Sequence, residues 1–363
     1  MSEIPSPSGP GQRLAKPPPA DRILVIRLGA IGDVVRTRFA FAGLRDLYPH
    51  ARIEWLVEDR SADALDAIVG LDAIVPVPRT RLSLLGAHRV VPPLVRDLRA
   101  RRYDLALDFH GILKSALLAR ASGTPVRVGY DRPFAREGSQ LFYTHRVRLR
   151  PRHLSRFERN AALVRYLGGD APNAPPALVR SDSVERDLGL ASLPPDPVVM
   201  HPGTSPGTRY KRWAAARFGQ VAERLREERG WRSVVTWGAV PGERQAAEEV
   251  VGRSAGAATL APPTPSIAHL LALLCRARLF IGCDSGPLHL ATLAGRPLVV
   301  LYGPTDPIEN APFPGVPSRI LRHDVGCNPC REGCPRPVCM EAIQVDEVVR
   351  AAAAVVAGLP GVK

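Results

Sequence analysis

Residues 22–49 read RILVIRLGAIGDVVRTRFAFAGLRDLYP. Ile23 to Ile26 form an unbroken apolar run, the pattern of a strand buried on both faces. Gly29 and Gly32 follow at a turn. From Val34 the apolar residues recur at helical spacing and stop at Pro49. The alternation then repeats. Residues 51–58, 73–78, 103–111 and 126–130 read as strands, and 61–70, 88–102 and 112–123 as helices. Such alternation predicts a parallel sheet with helices on both faces. Residues 153–168 continue as a helix, and 169–196 are rich in Ala, Pro and Asp, a linker composition. A second series begins at 197. Strands are expected at 197–203, 232–238, 258–263, 278–286 and 297–303, with helices between them and a last helix at 345–358. The fold class is therefore α/β. A disordered leader is expected at 1–20, a first domain at 21–180, a second at 185–345, and a C-terminal helix and tail at 346–363.

The whole chain has 363 residues, which matches two domains of roughly 150 residues each. Hydrophobic residues make up 45%, enough for a full core, so wholesale disorder is excluded. No apolar run approaches the ~18–20 residues of a membrane span. The first 20 residues lack the apolar centre of a signal peptide. The net charge is +14, and 45 of the 49 basic residues are Arg. Only Lys16, Lys114, Lys211 and Lys363 are Lys, which singles out the two internal ones. Residues 127–165 hold ten Arg against Asp131, Glu137 and Glu158. This stripe reads either as a solvated surface or as a footprint for an anionic partner. Nucleic acid is not expected, because no binding signature appears and aromatics are only 6%.

Cys275 and Cys283 fall in apolar stretches and read as core residues. Cys327, Cys330, Cys334 and Cys339 form C-x2-C-x3-C-x4-C. Three readings stay open for them: a metal site, a disulfide pair, or a compact reduced loop.

Several strand-to-helix turns carry chemistry. In ILVIRLGAIGDVVRT (23–37), Gly29 and Gly32 allow a close approach of ligand to backbone. Their G-x-x-G spacing lacks the dinucleotide fingerprint, which counts against NAD. Asp33 either caps the helix or faces the ligand as a general base. In HPGTSPGTRYKRWAAARF (201–218), Thr204, Ser205 and Lys211 outline a phosphate cradle at a helix start. In CDSGPLHLATLAGRPLVVLYGPTDP (283–307), Asp284, Ser285 and Gly286 open another helix, with His289 one turn in. Asp284 either caps that helix or binds sugar hydroxyls. Glu243 in WGAVPGERQ (237–245) and the group Asp108, His110, Lys114 in DFHGILKSA (108–116) are weaker signals.

Taken in order, these motifs resemble glycosyltransferase family 9, the ADP-heptose:lipopolysaccharide heptosyltransferases. The resemblance rests on ILVIRLGAIGDVV, the D-x-x-G-x-x-K-S segment at 108–115, HPG followed by YKRW, WG-x-x-x-x-E, and DSGPLHLATLAG with LYGPTDP. It covers residues 22–350. It implies a GT-B fold, two Rossmann-like domains facing across a cleft, with the acceptor on the N-terminal domain and the nucleotide-sugar on the C-terminal one. It implies Asp33 as the general base that deprotonates the acceptor hydroxyl. Lys211, Thr204 and Ser205 then hold the donor phosphates, Glu243 the ribose, and Asp284, Ser285, Gly286 and His289 the donor sugar. Gly29, Gly32 and Lys114 fall on the acceptor side. The implied reaction inverts the anomeric carbon and needs no cofactor or metal for the chemistry. The implied partners are ADP-heptose, an anionic lipid A-linked glycolipid, and the inner-membrane surface, which a cytoplasmic enzyme visits peripherally. Two alternatives stay open. One is a related GT-B enzyme with another nucleotide-sugar or acceptor, or an epimerase of similar fold. The other is a non-catalytic protein that binds anionic ligands.

Overall fold

The computed structural model describes residues 13–78, 87–151, 153–170, 172–330 and 333–358. The chain divides into two compact units, one up to Pro172 and one from Asn173.

In the first unit, β1 (Arg22–Ile26) leads into α1 (Ile31–Leu47), then β2 (Arg52–Glu58) and β3 (Ala73–Val77). After α2 (Ala87–Ala100) come β4 (Leu105–Asp108), α3 (Leu113–Ala121), β5 (Val126–Tyr130), β6 (His145–Val147) and α4 (Arg156–Leu167). The sheet order is β3-β2-β1-β4-β5-β6, and all five neighbouring pairs are parallel. The apolar run of β1 is buried from Ile23 to Ile26, as a strand covered by helices on both faces requires. Leu24, Ile26, Leu56, Val75, Leu98 and Ala106 share one core cluster.

The second unit opens with α5 (Asp182–Asp187). It continues with β7 (Val198–His201), α6 (Ala215–Arg229), β8 (Ser233–Val235), α7 (Glu243–Gly252), β9 (Ala258–Leu260) and α8 (Ile267–Cys275). Then follow β10 (Leu279–Cys283), α9 (Gly286–Leu293), β11 (Leu298–Leu301), β12 (Ser318–Leu321), α10 (Val338–Glu341) and α11 (Val345–Ala357). The order β12-β11-β10-β7-β8-β9 is the first unit's order over again, once the strands are numbered from β7. Both are Rossmann-like sheets. In such sheets ligands bind beyond the strand C-termini where the chain reverses its direction of travel across the sheet. That point lies between β1 and β4 in one unit and between β7 and β10 in the other.

Some expectations shift. The helix expected at 61–70 is a 3₁₀ turn over Asp59–Leu65. Residues 173–180 go with the second unit: the Asn173 carbonyl packs against Gly315. The last helix is part of that unit's core through Val348, Val349, Ala352, Val355 and Val356, and is not a separate tail. Residues 359–363 lie outside the described residues. Of the leader, 1–12 also lie outside them. Residues 13–20 are held to the first unit, because the Leu14 N–H donates to the Tyr166 carbonyl and the Tyr48 hydroxyl to the Pro18 carbonyl. Backbone groups paired in this way tie down a segment whose composition alone reads as disordered.

Candidate functional site

The first unit places its candidate site at the β1–β4 switch point, around a cavity of about 300 Å³. Asp33 sits in the first turn of α1. It does not cap the helix: Ala30 occupies the cap position, and the Asp33 carboxylate points instead to side chains. Arg36 reaches its Oδ1 at 2.8 Å and Arg156, the first residue of α4, reaches the same oxygen at 2.7 Å. Arg27 pairs with Oδ2. Burial works against ionisation here, yet the guanidiniums of Arg27, Arg156 and Arg36 outweigh it and hold the carboxyl far below the usual range. Gly29 lines the same cavity, and a Cβ there would come 3.2 Å from the Ser61 hydroxyl. Gly32 lies inside α1.

The DFHG turn after β4 is built by Asp108. Its Oδ1 accepts the His110 N–H at 2.8 Å and the Gly111 N–H at 3.2 Å, while the Tyr143 hydroxyl donates to Oδ2. Gly111 has φ +71° and packs against Tyr130, a position that a side chain cannot share. So Asp108, 1% exposed, serves the turn. His110 lines the cavity. Its Nδ1 accepts the Leu28 N–H at 3.3 Å, which leaves the ring proton on Nε2. Burial, with Arg27 as a lesser cause, lowers the His110 pKa to about 3. Lys114 pairs with Glu58 at 2.9 Å. The arginine stripe splits up. Arg136, Arg156 and Arg159 line the cavity, with Arg159 also over the Phe134 ring, whereas Arg127 and Arg148 bond locally. Arg152 lies outside the described residues.

The second unit carries its candidate residues at the β7–β10 switch point. Asp284, just past β10, accepts Lys211 Nζ at 2.6 Å and the Thr305 hydroxyl at 3.0 Å on one oxygen. His289 Nε2 lies 3.8 Å from the other. Asp284 is thus not a helix cap. Ser285 holds that position of α9, and its buried hydroxyl has no hydrogen-bond partner among the described residues. A Cβ on Gly286 would meet nothing within 4 Å among them. The helix start therefore has an open side, next to amides that suit an anion.

The loop after β7 leads into α6, as expected, and forms a 3₁₀ turn over Pro206–Lys211 on the way. Thr204 is 1% exposed, and its hydroxyl donates to the Thr208 carbonyl while accepting from Arg212 Nε. It braces the loop, and only Ser205 of the two expected hydroxyls is exposed. Arg212, next to the singled-out Lys211, also donates to the Thr204 carbonyl at 2.7 Å. Glu243 is buried, which raises its pKa, and accepts the Gly238 N–H at 2.8 Å. A Cβ on Gly203 would lie 2.7 Å from that carboxylate group, so this glycine lets the β7 loop pass over Glu243.

The four clustered cysteines lie on the segment that leads into α10 and in α10 itself. The Cys330 N–H donates to the Pro304 carbonyl, Cys334 Sγ to the Arg336 carbonyl, and buried Cys339 packs against Gly303. Among the described residues no three His, Cys, Asp or Glu side chains gather as metal ligands, and no disulfide joins the cysteines. Cys283 is fully buried, whereas Cys275 at the end of α8 is partly exposed.

Sequence reasoning missed Arg27, Arg36, Arg156, Glu58 and Arg212. Only Arg36 carried a local signal, three residues from Asp33 on one helix face.

The family model for glycosyltransferase family 9 (heptosyltransferase) matches residues 92–337. Lipopolysaccharide heptosyltransferase 1 of Pseudomonas aeruginosa is 30% identical over 320 residues, covering 85% of this chain and 86% of the relative. Among solved structures, a glycosyl transferase of family 9 from Veillonella parvula superposes with TM-score 0.77 at 22% identity, covering 93% of this chain and 98% of its own. E. coli heptosyltransferase WaaC, solved with ADP, gives TM-score 0.70 at 23% identity, covering 92% and 99%.

Proposed function

Because the chain belongs to glycosyltransferase family 9, the heptosyltransferases, we propose that it moves heptose from ADP-heptose onto a lipid A-linked lipopolysaccharide inner-core acceptor, with inversion. The observation that carries this reading is the Asp33 carboxylate in the first turn of α1, lining an arginine-rich cavity at the switch point of the first unit. The acceptor belongs in that cavity, where Arg60, Arg136 and Arg159 meet its acidic groups. Gly29 lines the cavity beside Asp33, and Lys114 pairs with Glu58, another lining residue. Asp33 takes the proton as the acceptor oxygen attacks the anomeric carbon. ADP leaves from the second unit. Lys211, Ser205 and the open start of α9 with Ser285 and Gly286 carry its growing charge, so no metal is needed. Asp284 and His289 hold the donor sugar, and Glu243 the ribose side of the nucleotide. Among the described residues no helix is long and apolar enough to cross a membrane. A net charge of +14 suits peripheral contact with the anionic inner-membrane face from the cytoplasmic side.

The test is transfer from ADP-heptose to a panel of truncated cores, for wild type and Asp33→Asn, with and without a chelator. Wild type turns over one core best, unaffected by the chelator. Asp33→Asn loses roughly 100-fold to 10,000-fold in kcat but still binds ADP. Transfer from a different nucleotide-sugar, or none on any core, would sink the donor assignment.

A further inference from the structure

A carboxylate bonded to three guanidiniums is a poor base. General bases work best when their pKa lies near the operating pH, and each adjacent Arg lowers a carboxyl by roughly 1–3 units. The three arginines on Asp33 are held unequally. Arg27 also donates to the Phe109 carbonyl at 2.8 Å and is 13% exposed. Arg36 is 4% exposed and rides on the same helix as Asp33. Arg156 comes from α4 and is 34% exposed. It is the guanidinium an entering anion reaches first, and Arg60, Arg136 and Arg159 line the cavity beside it. His110, kept neutral by burial, adds no charge near neutral pH.

We propose that Arg156 is a positioning residue that keeps Asp33 idle, and that an anionic group of the acceptor draws Arg156 off the carboxylate, so that the base gains strength only once the acceptor is in place. The anion is a carboxylate or phosphate near the reacting hydroxyl. One ion pair is traded for another, and the hydroxyl proton then passes to Asp33. This rests on Asp33 being the base.

The experiment compares three acceptors: an intact acidic core, the same core with its carboxyls methyl-esterified, and the same core dephosphorylated. Wild-type kcat falls about tenfold or more on whichever form lacks the triggering anion, which identifies its source. On that stripped form Arg156→Gln raises kcat roughly threefold to tenfold above wild type, while KM for the intact core rises. Arg156→Lys, which keeps a cation beside Asp33, shows no such gain. A residue that only binds acceptor or supports the fold gives no gain on the stripped core, and that result overturns the proposal. So does equal wild-type kcat on all three cores. Should the Gln variant fail to fold, inorganic phosphate added to wild type decides: stimulation on the stripped core supports the trade, pure inhibition refutes it. If Asp33→Asn still turns over the intact core, the base assignment fails. If Asp33→Asn is dead and Arg156→Gln shows no gain, only this inference fails.

Discussion

Asp33 owes its properties to partners drawn from three parts of the chain. Its folded pKa is lowered, so the carboxylate favours the folded state above its unfolded value near 4, and that contribution fades as pH falls below it. Asp33→Asn leaves Arg27, Arg36 and Arg156 facing one another without a counter-charge. Urea unfolding should show a loss of roughly 2 kcal/mol, constant from about pH 5 to about pH 8 and shrinking below about pH 4. An equal difference at all pH values down to about 2 would mean that the carboxylate's charge is not what matters. Asp33 was legible in the sequence because a carboxylate just past a glycine turn at a strand end is a recognisable pattern. Its cage was not. Arg156 lies 123 residues away, and with 45 Arg in the chain no single one stands out.

The strand-to-helix turns divide into those that hold themselves together and those left open. The β7 loop is braced by Thr204 and Arg212, and the loop after β8 by Glu243. The start of α9 is open, with the Ser285 hydroxyl buried and unpartnered among the described residues. Ser285→Ala should therefore leave stability unchanged or raise it by up to about 1 kcal/mol, since the buried hydroxyl gives up its bond to water on folding without gaining another. It should weaken ADP binding roughly threefold to tenfold, the worth of one hydrogen bond. Calorimetric titration with ADP and a thermal melt check both halves. Unchanged ADP affinity would remove Ser285 from the donor site. Periodicity found the central strands, whose apolar runs are long. It missed β6 and β12, edge strands of three and four residues that take their conformation from one neighbour each. It found that the β7 loop leads into a helix but not the 3₁₀ turn inside that loop, because glycine and proline mark a turn without saying how long it is.

Across the whole molecule the same strand order occurs twice, and each copy sets a histidine at its switch point, His201 buried and His110 at the cavity wall. Burial lowers the His201 pKa to about 4 and the His110 pKa to about 3, against an ordinary 6.5. Both stay neutral when folded, while the unfolded chain takes up protons below about pH 6.5. Stability should then fall with pH by up to about 1.4 kcal/mol per pH unit for each histidine, until each folded value is reached. His201→Gln should flatten that slope in urea titrations from about pH 7 to about pH 5. An unaltered slope would place the proton uptake elsewhere. The amino-acid sequence by itself determined the class of fold, the two α/β units and the family, because buried parallel strands, helical spacing and glycine turns are local signals repeated in a set order. The tertiary structure alone decided which arginines surround Asp33, and that the Thr204 hydroxyl braces a loop while the Ser285 hydroxyl has no partner among the described residues. Those choices depend on contacts between residues far apart in the chain, and charge and hydrogen-bond partners are set by which strand ends the sheet brings together.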